Sequence, residues 1–534
     1  MNDLITRRAA LSMIAGAAHA AFLFQGCSSG SGGSTTPTTT TPPATVPSAP
    51  VRPRYHLTPS SGWINDPQRP LWIGNSWNLW VLWNADYPTG NGTAWRRYTS
   101  SDLVSWTDQG VSIPKYSNSD GDVWTGSAVV DTNNTAGFGA GAVIALATMS
   151  CANLGGQSTS LWYSTNGGVS FQFGAIVQVN PMAGNTTIPD LVFRDPSIFW
   201  HAPTNRWVMN LAEIGKLSIY TSSDLKNWTY QSAMIRSDLG TMECPHLVQL
   251  HLYQANGTTT ADKWVLLCGA NGTSQGFTTG TAYWVGSFDG TQFTPDSSTP
   301  SWLDFGPDFY ATTLFADPNA SDPLSSIYAI AWENNWNYAA AIPTTGYWGQ
   351  LSIVRQLTLQ TLNSAATLLM SPISAQDGVF KTTVTGTNQT ISDSVSYSWP
   401  SGAANVSSRI DFTLSPVGGR WPSAVNLTVR SGDGYLTQLG FAPGQSQATL
   451  ARNNSGPVPL TGSAWSNNYT APCNFSAAVT VSVFIDATSI EVFLNGGQSV
   501  MSALITAPSD AVGLNLTAVG GSAAISNMTI WAAS

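Results

Sequence analysis

Charge is scarce in this chain: 20 Lys and Arg and 29 Asp and Glu among 534 residues, for a formal net charge of -9. So few cations leave no basic stripe, which excludes a nucleic-acid partner or an anionic membrane surface and keeps neutral polymers in view. Cysteine is rarer still. Cys27, Cys151, Cys244, Cys268 and Cys473 show no CxxC pairing and no disulfide-scaffold density. The five histidines are scattered, and His246 and His251, close to Glu243, lack an HExxH pattern or partner cysteines. We therefore expect no metal and no cofactor. The apolar stretch from Ala9 to Phe24 is too short for a comfortable membrane span.

That stretch follows Arg7-Arg8, and a charged n-region before a short apolar h-region reads as an export signal over residues 1–27. The arginine pair resembles a twin-arginine signal. Leu23-Phe24-Gln25-Gly26-Cys27 resembles a bacterial lipoprotein cleavage box, which makes Cys27 the lipidation candidate and a membrane tether; the alternative is simple cleavage and secretion. Residues 28–52 are mostly Ser, Gly, Thr, Pro and Ala, a composition that cannot bury a core and serves as a linker.

What the chain does have is aromatics, glycine and β-forming residues: 22 Trp and 49 Gly, with Lys and Glu rare. This composition suits strands and turns, so the expected fold class is all-β. A repeat supports it. Tyr98-Thr99-Ser100-Ser101-Asp102-Leu103 leads to Trp106, Trp162-Tyr163-Ser164-Thr165-Asn166 to Phe171, Ile219-Tyr220-Thr221-Ser222-Ser223-Asp224 to Trp228, and Val285-Gly286-Ser287-Phe288-Asp289 to Phe293. A period of roughly 60 residues marks stacked units such as propeller blades. The Asp and Asn of each unit read as turn formers without a catalytic part. A further unit between Phe309 and Arg355 gives a five-bladed β-propeller over residues 53–356. Residues 357–373 read as a connector. Period-two alternation beyond it, clearest in Val479 to Ile485 and Ser489 to Leu494, predicts a C-terminal β-sandwich over 374–534.

Three acids stand apart from the turns, each beside a proline: Trp63-Ile64-Asn65-Asp66-Pro67, Phe193-Arg194-Asp195-Pro196 and Met242-Glu243-Cys244-Pro245. They fall in different predicted blades. Propellers gather such residues at the mouth of the central channel, so the three acids can share one pocket. Glycoside hydrolysis needs one carboxylate to attack or to activate water and a second carboxylic acid to protonate the leaving oxygen.

These stretches, in this order, resemble glycoside hydrolase family 32, the invertase, inulinase and levanase family. Trp124-Thr125-Gly126-Ser127-Ala128, Gly306-Pro307-Asp308-Phe309-Tyr310-Ala311, Trp332-Glu333-Asn334-Asn335-Trp336 and the stretch from Asp486 to Phe493 extend the resemblance to the C-terminus. It implies a five-bladed propeller followed by a β-sandwich and a retaining enzyme cleaving β-fructofuranosidic bonds in fructans or fructooligosaccharides. By motif, Asp66 is the nucleophile, Glu243 the general acid and then base, and Asp195 the transition-state stabiliser beside Arg194. Retention implies carboxyls of Asp66 and Glu243 roughly 5 to 5.5 Å apart, with Asp66 ionised and Glu243 protonated. Asn65, Gln68, Trp83, Trp124, Thr125, Arg194 and Trp332 are the expected substrate contacts.

The chain departs from the family at Gln68-Arg69, where Asn-Gly is usual, and at Trp83, where many members carry Gln. This variant pocket is similar to the levan-acting branch, so levan is favoured over inulin or sucrose. Two alternatives accompany that reading. A levan fructotransferase would pass the same intermediate to a sugar hydroxyl and release a difructose anhydride. A non-catalytic carbohydrate-binding propeller would lack one of the acids. An inverting arabinan-type hydrolase also uses three acids, but Cys244 and the attached sandwich argue against it.

Overall fold

The protein is described from a computed structural model that covers residues 52–118, 121–151, 156–182, 192–343, 345–457 and 462–533. Cys27, the export signal and almost all of the 28–52 linker lie outside the described residues.

Strand pairing divides the first part of the chain into mainly antiparallel sheets of six, four, four and nine strands, the last joining two units through the parallel pairing of Leu252 and Tyr253 with Leu359 and Gln360. Their innermost strands are Gly62–Pro67, Asp122–Asp131, Phe193–His201, Glu243–Tyr253 and Tyr310–Phe315. Each succeeding strand folds back on the last, so these short, β-rich runs bury both faces as neighbouring units stack. Trp80, Trp95 and Trp162 are fully buried between the first two units, where a polar strand face would not fit. The repeat acids do turn work. Asp102 Oδ1 accepts the Val104 and Ser105 N–H groups, and Asp224 Oδ1 accepts those of Lys226 and Asn227, in the same geometry. The ring closes where Gly62 and Trp63 pair in parallel with Tyr347 and Trp348 of the last unit.

The expected connector at 357–373 is instead a hairpin. Arg355–Leu362 and Ala365–Pro372 pair with each other, and the first of them also pairs with Ile327–Trp332. They complete the fifth unit, so the propeller runs to Pro372. The alternation Leu357, Leu359, Leu368 and Met370 buries one face, the pattern of a half-covered strand. Its hydrophobic rhythm was present in the sequence but read as the end of a domain.

The second domain is two packed sheets. One holds Ser408–Pro416, Val479–Ile485, Ser489–Leu494, Ser499–Leu504 and Ser522–Ala533; the other holds Ala424–Gly432, Tyr435–Ala442, Gln447–Ala451 and Gly513–Val519. Their inner faces form one core with Phe412, Leu427, Phe441, Val483 and Ile530.

The two domains meet across buried charge. Arg355 of the propeller binds Asp304 at 2.8 Å and Glu491 of the sandwich at 2.7 Å, with all three side chains at or near zero exposure. His56 offers one ring nitrogen to Asp486 at 2.9 Å and the other to Glu491 at 3.1 Å, with Glu333 3.5 Å away. The two shorter distances are hydrogen-bond lengths. With a carboxylate at each nitrogen the ring is held as an imidazolium, its pKa raised well above the ordinary value by those acids against the cost of burial.

Candidate active site

Each innermost strand breaks its pairing near the same end. The register shifts fall between Ile64 and Pro67, Val123 and Gly126, Arg194 and Ser197, Glu243 and His246, and Tyr310 and Thr313. A bulge bends its strand and re-aims the side chains within it. Pro196 and Pro245 sit within these bulges and Pro67 ends its strand beside one, positions where a missing N–H costs no ladder bond. Asp195, Cys244 and Ala311 adopt the left-handed region, with φ of 62°, 50° and 51°. Such strain is held only where the surroundings over-determine it.

This device brings Asp66, Asp195 and Glu243 together from three blades. Cys244 lies between two of them, its Sγ 3.6 Å from Asp195 Oδ2 and 3.9 Å from Asp66 Oδ2, and its N–H donates to Asp195 at 3.0 Å. Glu243 takes Arg194 Nη1 on Oε1 at 3.0 Å and the Tyr310 hydroxyl on Oε2. Asp66 receives the Thr125 hydroxyl on Oδ2 and the Asn65 amide on Oδ1. Thr148 spans two blades beneath them: it accepts the Asp195 N–H at 2.7 Å and donates to Thr125 O at 2.9 Å.

The electrostatics follow from crowding. Burial is the largest influence on Asp66 and the Glu243 charge adds to it; against the Thr125 and Asn65 hydrogen bonds, the net result is a pKa pushed up to about 6. Asp195 rises as well: burial raises it most, the Arg194 charge opposes the rise, and the Glu243 and Asp66 charges add to it. Asp66 is therefore ionised above about pH 6 and holds a proton part of the time close to it. Burial and the same three acids raise the Cys244 thiol well above its ordinary range, leaving it a neutral spacer rather than a nucleophile.

The expected substrate contacts divide. Thr125 and Asn65 touch Asp66 directly. Arg194 grips Glu243 and lies 5.7 Å from the Trp124 ring centroid, so both belong to the pocket wall. Trp83 is half-buried, with the Arg96 guanidinium 4.1 Å from its ring centroid and its indole N–H on Ser61 O at 2.9 Å.

Gln68 and Trp332 do not reach the pocket. Gln68 is fully buried, its amide spent between Asp66 O at 2.8 Å and the Gly126 N–H at 2.7 Å, so it ties the first blade to the second. Arg69 likewise crosses to Ser197 and the Ile198 carbonyl of the third blade. Trp332 is fully buried behind Trp63 and Trp336, with ring centroids 5.9 and 4.7 Å away.

Four contributors went unassigned in the sequence reading: Tyr310, Thr148, Gln157 and Trp336. Gln157 accepts Arg194 Nε at 3.0 Å and so aims that guanidinium. Tyr310 lay inside a family motif, a signal that could have drawn attention to it. Nothing marked Thr148 or Gln157. Trp336 is 37% exposed and stacks on Trp63, whose indole N–H donates to Asn65. His246 and His251 part company, because residues five apart on a strand face opposite ways. His246 is buried against Ser197, whereas His251 sits outside between Asp262 and Asp322.

Residues 56–372 match the Glycosyl hydrolases family 32 N-terminal domain and residues 374–532 the family 32 C-terminal domain. The chain is 36% identical to a levanbiose-producing levanase of Bacillus subtilis (strain 168), over 90% of each chain. It is 31% identical to an extracellular exo-inulinase of Aspergillus awamori, over 88% of this chain and 92% of the relative. The crystal structure of that fungal species' exo-inulinase superposes with a TM-score of 0.79 at 29% identity, covering 91% of this chain and 98% of the other. A bulged ring of three acids in a propeller followed by a β-sandwich, together with these matches over nearly the whole folded chain, settles the family: the chain belongs to glycosyl hydrolase family 32.

Proposed function

We propose that the protein is a retaining β-fructofuranosidase that cleaves fructans, with levan its preferred substrate and levanbiose its main product. Asp66 attacks the anomeric carbon, Glu243 protonates the departing oxygen and later draws the proton from water, and Asp195 grips the fructosyl hydroxyls as positive charge develops. What supports these roles is the convergence of the three carboxyls on Cys244, Arg194 and Tyr310. Glu243 accepts a hydrogen bond on each oxygen, which fixes its plane against a leaving group. Asp66 keeps an oxygen within reach of Thr125 and stays close enough to Glu243 to feel its charge.

Levan as substrate rests on the likeness to two relatives named levanbiose-producing levanases, the second from Geobacillus stearothermophilus at 43% identity over 58% of this chain. Incubation with levan, inulin and sucrose, with product identification, tests it. Levanbiose from levan supports the reading; a difructose anhydride would select the transferase, and turnover of sucrose alone would refute the polymer preference. Net inversion at the product anomeric carbon, read by NMR, would defeat the roles of Asp66 and Glu243. Export as a bacterial cell-surface lipoprotein anchored at Cys27 is part of the same proposal, supported by the Arg7-Arg8 signal and by relatives named extracellular. Labelling with a radioactive fatty acid tests it, and a Cys27→Ala chain that still takes up label would sink it.

A further inference from the structure

The strand that carries Tyr310 is anchored from outside the propeller. Just before it, the Phe305 N–H donates to Val500 O at 2.8 Å and the Asp308 N–H to Ser502 O at 3.2 Å, so this segment pairs with the sandwich strand Ser499–Leu504. Gly306 permits the approach, since a Cβ there would sit 2.1 Å from Ser502 O. The buried Asp308 carboxylate then takes Arg452 Nη1 at 2.5 Å and the Leu504 N–H at 2.8 Å, both from the sandwich, and the Tyr338 hydroxyl at 2.6 Å. Arg452 is itself fully buried, donates to Leu504 O at 2.8 Å, and packs 4.1 Å from the Trp465 ring centroid. Two residues beyond Asp308, the Tyr310 hydroxyl holds Glu243 Oε2, its ring seated against Gly269, where a Cβ would meet it at 3.0 Å.

We infer that Arg452, a sandwich residue, is a positioning residue for Glu243, acting through Asp308 and the Tyr310 hydroxyl. The inference rests on Glu243 being the general acid. An acid must present its proton in line with the departing oxygen, and a displacement of about 1 Å there costs on the order of 100-fold in rate. Asp308 has its sandwich donors on Oδ2, so the depth of Tyr310 in the channel is set by the second domain. The sandwich is thus part of the catalytic apparatus, beyond any part in binding or solubility.

A purely structural role would slow all substrates alike, whereas a misplaced acid matters only when the leaving group needs a proton. The test compares kcat/KM on levan with that on an aryl β-fructofuranoside, whose phenolate leaves without protonation. Tyr310→Phe and Arg452→Met are expected to lose 10- to 100-fold on levan and no more than about threefold on the aryl substrate. Equal losses on both substrates, or none on either, from folded Arg452→Met would overturn the inference. Should that variant not fold, the nearly isosteric Asp308→Asn carries the same expectation and the same refuting outcome. Glu243→Gln separates the two levels. If it fails to show the substrate split, the general-acid reading itself falls; if it shows the split and the Arg452 and Asp308 variants do not, only the link to the sandwich falls.

Discussion

Asp66→Asn should abolish turnover and at the same time stabilise the folded enzyme, with a gain that depends on pH. Burial and the Glu243 charge lift the Asp66 carboxyl from its ordinary 3.8 to about 6. Below pH 3.8 the group is protonated in both folded and unfolded chains and contributes no difference. Between 3.8 and 6 the folded state keeps a proton the unfolded chain has released, so stability falls as pH rises. Above about 6 the full cost is present. Two pKa units at 1.36 kcal/mol each set an upper bound of about 3 kcal/mol. Partial solvent contact of the residue screens some of this. An asparagine also loses charge assistance from Thr125 and turns its NH2 toward the Asn65 amide, a loss of about 1 kcal/mol. The expected gain is therefore about 1–2 kcal/mol at pH 7.5, a rise of a few degrees in the unfolding midpoint, giving way at pH 4 to a loss of up to about 1 kcal/mol. Denaturant and thermal unfolding of both proteins at the two pH values measure it. Equal gains at both pH values, or a destabilised variant at pH 7.5, would refute the electrostatic account of the site.

The same carboxyl should give kcat/KM an acid limb with an apparent pKa close to 6, activity falling as pH drops and Asp66 is protonated; the limb belongs to the coupled acids together. Thr125→Val removes a hydrogen bond that holds the Asp66 pKa down, so a pH–rate profile should show that limb moving upward. Cys244, buried and kept neutral, should resist iodoacetamide at pH 8 in the native enzyme and react once unfolded, as mass spectrometry would record. Arg355→Met strands Asp304 and Glu491 in the domain interface, so calorimetry should show a loss of about 3–5 kcal/mol.

Much of this was legible without coordinates because the signals are local. Period-two alternation, turn acids at a fixed repeat and prolines beside three carboxyls each act over a few residues, and all three acids arrived where the motifs had put them. The hairpin Arg355–Pro372 was read as a connector because its position between two domains outweighed its alternation, and its pairing with Ile327–Trp332 is visible only in the fold. Gln68 and Trp332 misled for another reason. Gln68 follows a bulged strand and Trp332 pairs with one, and whether a side chain beside a bulge faces the pocket or the neighbouring blade leaves no mark in the order of residues.

The sequence by itself determined the all-β class, the two-domain order and the family, and it singled out the three acids that the fold brings together. Only the tertiary structure decided how those acids share protons, since the rise of Asp66 and Asp195 comes from burial and from charges brought in by other blades. It also decided which polar residues serve as braces, with Gln68 joining the first blade to the second and Thr148 the second to the third. The part of the sandwich is of the same kind. Arg452 lies 144 residues from Asp308 in the chain, and their contact exists only because two separately patterned domains bury a shared face.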